Sequence, residues 1–369
     1  MSIPVGYLIG LAVLAFPVLR LPRVPMSVGT PAFFVSMSIN ELPVLATLAF
    51  GASTALAVSE GDLASPVAIG AAVLAAACLG LQVWRGVAAL SVLRRAMGPI
   101  DVSGRLPLWR VLAFPFAVRP RAVERFANLS YGPFGRRNSM DLYRRRGATT
   151  GARAPVLVHF HGGYYTTGHK SSQSLPMLHR LAERGWVCLS ANYRLRPAAT
   201  FEDHLVDVKR LVAWVRAHAD EWGVDPERIV LSGSSAGAHM SAMAAFTDGD
   251  PAYQPGFEDA DTSVSAVVSL GGYLGRYFDG RPETSPTENV PAGAPPVLVV
   301  HGTHDSLVPV ADARRFAERL RADSRNLVVY AELPGAHHGF DLYWSPRFAA
   351  VVNAVEAFTA EVFARQRVR

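Results

Sequence analysis

Cysteine is almost missing from this chain: Cys78 and Cys188 are the only two in 369 residues. Cys78 lies in an apolar run and Cys188 in a strand-like one, so both read as small packed residues and a disulfide-framed scaffold is excluded. Metal-ligand spacing is also lacking. His159 and His161, even taken with His301 and His304, have no carboxylate or cysteine that completes a ligand set at a usual spacing, so no metal is expected. There is no internal repeat and no long low-complexity tract, which excludes a solenoid or a tail-like protein. The most consequential lack is of charge, which is missing from three long stretches near the N-terminus.

Leu63 to Trp84 is uncharged and long enough to cross a hydrocarbon core, which takes about 20 residues. Leu42 to Ser59 is a second such run, extendable backward through Ala32 to Asn40 if Glu41 can be accommodated. Ile3 to Leu19 is a third, shorter and interrupted by Pro4 and Pro17. No Lys or Arg precedes it and no small-x-small site closes it, so it reads as a retained anchor rather than a cleaved signal peptide. The later runs are apolar around the whole helical circumference, which argues against amphipathic core helices. Residues 1–88 therefore read as a transmembrane helical anchor of two or three spans. Arg20 and Arg23 follow the first run, Glu60 and Asp62 separate the other two, and Arg85, Arg94 and Arg95 follow the last. The positive-inside rule then makes this an integral membrane protein whose remaining chain lies on the cytoplasmic side, with the lipid bilayer as a partner.

Basic charge is concentrated just beyond. From Arg85 to Arg146 there are 13 arginines against Asp101, Glu124 and Asp141, more than the formal surplus of +6 for the whole chain. Leu106, Leu108, Trp109, Val111, Leu112, Phe114 and Phe116 are interleaved with them. Residues 89–127 thus read as a basic amphipathic connector at the lipid interface and a possible cap. Beside a membrane span no nucleic-acid partner is expected.

The rest of the chain alternates strand and helix patterns. Val187 to Asn192 and Ser265 to Leu270 read as strands, and His204 to His218 as a helix with Asp203 and Asp207 on its solvated side. Such alternation predicts an α/β fold with a mainly parallel sheet, helices on both faces and sites at the strand carboxyl ends.

Against that frame stands the run Ile229-Val230-Leu231-Ser232-Gly233-Ser234-Ser235-Ala236-Gly237. It is an apolar strand entering a G-x-S-x-G turn, where two glycines leave room for a sharp bend that exposes Ser235. A serine hydroxyl becomes a nucleophile only when a base takes its proton. The strand Pro296–Val300 leads to a loop bearing Asp305, and the strand Leu327–Leu333 to a loop bearing His337 and His338. The chain order is Ser, Asp, His, each beyond a strand end. Glu332 and Asp341 compete for the acid role, but Asp341 lies too close to the histidines along the chain to reach the far ring nitrogen easily. His239 reads as a packing residue behind the serine.

Together with His161-Gly162-Gly163, Ala191-Asn192-Tyr193-Arg194-Leu195, His301-Gly302-Thr303-His304-Asp305 and His338-Gly339-Phe340, these motifs resemble the α/β-hydrolase fold. The resemblance is to the esterase/lipase group related to hormone-sensitive lipase, and in particular to membrane-anchored esterases of actinobacteria. It covers residues 128–369 as a catalytic domain. It implies a triad of Ser235, Asp305 and His338, with the histidine before Gly-Phe as base, and an oxyanion hole from the amides of Gly163, Tyr164 and Ala236. The implied activity is two-step cleavage of a small, lipophilic carboxylic ester without a cofactor. The third glycine of the lipase pattern is here Tyr164, similar to relatives that act on formamides or carboxyl methyl esters. An amidase, peptidase or formamidase with the same triad is the alternative, and a catalytically silent binding module a further one.

Overall fold

The computed structural model describes residues 4–20, 26–104, 106–149, 151 and 153–367; Ile3, Arg23 and Arg105 lie outside the described residues. Eight strands form one sheet: β1 (Val123–Ser130), β2 (Ser139–Arg145), β3 (Ala154–Phe160), β4 (Val187–Ala191), β5 (Val224–Ser234), β6 (Ala266–Leu270), β7 (Val297–Gly302) and β8 (Val328–Leu333). Their order is β1-β2-β4-β3-β5-β6-β7-β8. β1 and β2 pair antiparallel, as do β2 and β4, and every later pair is parallel. Strand pairing begins at Val123, opposite Arg145, ahead of the Asn128 at which the sequence motifs begin.

Eleven helices are described among these residues: α1 (Val5–Ala15), α2 (Met26–Glu41), α3 (Pro43–Ser59), α4 (Pro66–Met97), α5 (Leu108–Ala113), α6 (Leu175–Glu183), α7 (Phe201–Ala217), α8 (Ala219–Trp222), α9 (Ala236–Phe246), α10 (Val310–Asp323) and α11 (Pro346–Gln366). The central strands are apolar on both sides because both faces are covered. Leu157, Val230, Val268 and Leu298 point to one face, where α4, α6 and α11 pack. Val156, Val158 and Leu231 point to the other, against α7 and α9. Val267, Val297 and Val299 complete that second layer against α9 and α10. The alternation of neighbours between faces is the two-residue period of a strand.

Asp207 departs from the expected solvated face. Its carboxylate is buried and accepts from the Arg194 backbone N–H at 2.8 Å and from Arg194 Nε at 3.0 Å. Asp203 instead closes a capping box with Thr200 at the start of α7. Period alone assigned the wrong side to Asp207 because its partner comes from the loop after β4.

The N-terminal region forms helices that lean on this sheet. α4 is long and apolar enough to cross a membrane. It starts at Pro66 rather than Leu63, with Pro at its first turn, and stops at Met97, before Gly98 at a positive φ of 60°. Its first half leaves Val67, Val73 and Leu74 more than 60% exposed. Its second half buries Ala89, Leu93 and Met97 beside Phe348, Val351 and Val355 of α11. α3 with residues 30–41 of α2 reaches spanning length only as a pair bent by 95°. α1 with the turn after it is a shorter apolar helix.

Leu93 thus belongs to the sheet's core although it precedes every strand. Leu93→Ala is expected to lower stability by about 2–5 kcal/mol, read as a drop in the thermal unfolding midpoint of the full-length protein in detergent.

Candidate active site

The elbow is built by close contact. β5 passes into α9 through Ser235, whose backbone is left-handed at φ 53° and ψ −117°, a conformation that costs a non-glycine residue roughly 1–3 kcal/mol. A Cβ on Gly237 would lie 2.0 Å from the Phe160 carbonyl oxygen, and one on Gly233 would lie 2.1 Å from Gly237. Only glycine lets the helix start press onto the end of β3. The Ser235 N–H donates to the Leu270 carbonyl at 3.1 Å, and the Ser235 carbonyl accepts from Tyr273 at 3.2 Å, tying the bend to the end of β6.

Asp305 follows β7. Its Oδ1 accepts from the backbone N–H groups of Leu307 and Val308 at 3.0 and 2.8 Å. Its Oδ2 accepts from His338 Nδ1 at 2.7 Å, and His301 Nε2 stands 3.3 Å from the same oxygen. Burial by itself would raise the carboxyl pKa, but the facing His338 and His301 outweigh it and hold Asp305 below the ordinary carboxylate range. Burial pulls the other way on His338, and the attraction of Asp305, with Asp341 adding to it, leaves the imidazole pKa above its usual value. Because ionised Asp305 only accepts, Nδ1 carries the proton and Nε2 is left to accept one.

These groups converge around the end of β6. A Cβ placed on Gly271 would be 3.6 Å from His338 Nδ1 and 3.8 Å from Asp305 Oδ2, and Leu270, one residue earlier, holds Ser235. Among the described residues Ser235 Oγ makes no side-chain hydrogen bond. Contacts of this kind commonly tighten only when substrate is bound. Ser235 and Ala236 share with Tyr164, Tyr273, Phe278 and Leu307 the wall of a cavity of about 240 Å³.

The glycine turn after β3 faces the same point. Gly163 has φ 122°, and Tyr164 and Tyr165 are also left-handed, at 54° and 61°. The Gly162 N–H is taken by Gln173 Oε1 at 2.5 Å. Among the described residues the N–H groups of Gly163 and Tyr164 have no protein acceptor, and that of Ala236 opens α9, where no intrahelical acceptor exists. The Tyr164 side chain is 43% exposed at the cavity rim.

Other histidines have local partners. His337 turns away from Asp305, with Nε2 3.3 Å from the Pro17 carbonyl. His239 lies behind the elbow, 2.6 Å from the Tyr165 hydroxyl and 3.0 Å from the Gly275 carbonyl. His159 sits on Ser232 at 3.2 Å and His161 on the Gly162 carbonyl at 2.7 Å, and burial pushes their pKa values down to about 3 and about 4. Among the described residues no three His, Cys, Asp or Glu side chains are grouped to hold a metal ion.

Sequence reasoning missed several supporting residues. Asp341, weighed only as a rival acid, instead accepts from the hydroxyls of Ser174 and Ser234 and so ties the histidine loop to the residue before Ser235. Gln173 had no signal at all. The cover beside His338 comes from Phe33 of α2, whose ring centroid is 6.2 Å from the imidazole. The connector touches the same loop further along, through Phe116 on Tyr343 and the Trp344 N–H on the Pro115 carbonyl.

A mainly parallel sheet with this elbow at its centre and an acid and a histidine beyond later strands defines the α/β-hydrolase fold, and the chain has that fold. Within that class its similarity is to esterases. Residues 140–275 match the BD-FAE family model and residues 268–365 that of the prolyl oligopeptidase family. Two proteins of Mycobacterium tuberculosis are similar in sequence. The probable carboxylic ester hydrolase LipM is 45% identical over 65% of this chain and 62% of its own length. Esterase LipQ is 40% identical over 67% of this chain and 64% of its own. The chain thus spans less than two thirds of these relatives. The structure of Thermogutta terrifontis esterase 2 phosphorylated by paraoxon superposes with a TM-score of 0.55 at 28% identity, covering 64% of this chain and 92% of that one.

Gly237→Ala should separate the elbow from β3 and cost roughly 1–3 kcal/mol, whereas Gly293→Ala, with nothing within 4 Å of the added carbon, should leave the thermal midpoint unchanged. Equal midpoints for the two variants would contradict the steric account.

Proposed function

We propose that this chain is a membrane-anchored serine hydrolase that cleaves lipophilic carboxylic esters by two-step acyl transfer. The observation that carries the reading is the 2.7 Å hydrogen bond between Asp305 and His338 Nδ1 beside a serine in the strained elbow conformation. Asp305 fixes the tautomer and supports the imidazolium. His338 Nε2 takes the Ser235 proton as Oγ attacks the ester carbonyl, then returns it to the departing alkoxide. The oxyanion is received by the N–H groups of Gly163, Tyr164 and Ala236, each worth about 3 kcal/mol because it is oriented before charge develops. Water, deprotonated by the same imidazole, releases the acid and regenerates Ser235. No step calls for a cofactor.

A lipophilic substrate suits a cavity walled by Tyr164, Tyr273, Phe278, Leu307 and Val308. Anchoring in a bilayer is supported by the apolar exposed half of α4. Trp109, Leu112, Phe114 and Phe116, all more than half exposed on the basic connector, suit a headgroup interface. Arg20, Arg94 and Arg95 favour the cytoplasmic side for the catalytic domain.

Ser235→Ala is expected to abolish both hydrolysis of a short-chain aryl ester and labelling by a fluorophosphonate, with the fold retained. Asp305→Asn should reduce kcat by roughly 10⁴. His338 must be neutral to accept a proton, so kcat/KM should rise with pH through a pKa above the ordinary histidine value. A profile flat down to pH 5, or faster cleavage of a matched anilide than of the ester, would overturn the esterase reading.

A further inference from the structure

α2 is held against the histidine loop by polar contacts that hydropathy does not register. Glu41, at its C-terminal end, pairs with Arg347 at the start of α11, and both side chains are fully buried. Arg347 also donates to the Pro334 carbonyl at 3.2 Å. Asn40 Nδ2 reaches Glu41 and the Gly335 carbonyl, each at 3.1 Å. Pro334 and Gly335 open the loop that carries His338. Two turns earlier on α2, Phe33 is 7% exposed; its Cζ lies 3.6 Å from a Cβ built on Gly339, and its ring is tilted 60° to that of His338.

A buried ion pair gains little net stability over apolar residues of the same size, and its best-attested use is to fix one register. Here the register it fixes puts Phe33 beside the imidazole. The next residue, Phe34, is 54% exposed and packs on Phe33 at 5.0 Å.

We propose that the N-terminal apolar helix α2 is part of the catalytic apparatus, with Glu41 and Arg347 as its clasp and Phe33 as a positioning residue that keeps His338 dry and oriented. The inference rests on His338 being the general base. Asp305 faces the imidazole from the loop after β7, with His301 behind it, and Asp341 faces it from its own loop. From α2 the facing group is uncharged Phe33, since Glu41 is taken up by Arg347. Burial disfavours the charged form of His338 while Asp305 and Asp341 favour it, so water on the ring alters both influences and shifts its pKa.

The test uses the full-length protein in detergent with a soluble short-chain aryl ester. Phe33→Ala should lower kcat by roughly ten- to a hundredfold with little change in KM, and should shift the acid limb of kcat/KM. Phe33→Leu should restore both. Glu41→Gln, which keeps the shape but removes the carboxylate paired with Arg347, should slow fluorophosphonate labelling of Ser235. A Phe33→Ala enzyme with the parent's kcat and pH profile would overturn the proposal, as would Phe33→Leu failing to restore the profile. Turnover retained in His338→Asn would overturn the base assignment instead.

Discussion

The contact on which the site depends is the approach of α9 to the end of β3. Phe160 and His161 offer their carbonyl oxygens where a side chain on Gly237 would stand, at 2.0 and 2.8 Å from the missing Cβ. This contact bends β5 into α9 so sharply that Ser235 must be left-handed, and it holds the glycine turn after β3 beside the first amide of α9. The positions of Ser235 and of the amides of Gly163, Tyr164 and Ala236 are therefore set by one steric requirement. The strain at Ser235 persists because the Leu270 and Tyr273 backbones hold it from the other side.

Electrostatics then divides the labour between two buried carboxylates. Asp305 has two backbone amides and two imidazoles around it, which overcome the burial cost and keep it ionised. Asp341 is met by two hydroxyls, and burial keeps its pKa above the usual value. One is equipped to stabilise a positive charge on His338, the other to pin the histidine loop to the elbow. The difference lies in what each carboxylate can accept from, not in its distance along the chain.

How much of this could be read from the chain follows from the range of the interactions. Ser235, Asp305 and His338 each stand just beyond an apolar strand, and a parallel sheet gathers strand ends whatever lies between them, so their chain order sufficed to group them. The sheet itself was legible in the alternating patterns. Asp207 was misread because its partner Arg194 belongs to a loop that periodicity does not describe. Asp341, Gln173, Phe33 and the Glu41–Arg347 pair left no local trace, since each acts on a residue brought near only by folding. Glu41 in particular reads in the sequence as a flaw in an apolar run, and becomes intelligible only with Arg347 in view.

The apolar N-terminal helices are joined to the sheet by more than chain connectivity. A flexible linker would let the sheet and its helices turn freely relative to them. α4 does not provide one: its lipid-like face and its core-packed face follow each other on one uninterrupted helix, with Leu93 and Met97 inside the core shared with α11. α2 adds a second attachment at Glu41, and Arg85 of α4 a third, donating to the Val18 carbonyl at 3.3 Å while its stem lies against Gly335. All three meet the sheet on the side of β8 and the histidine loop. If α4 enters a bilayer, the approach to His338 has a fixed orientation to the lipid, and delivery of an apolar ester to Ser235 becomes a matter of geometry rather than of a chance encounter across solvent.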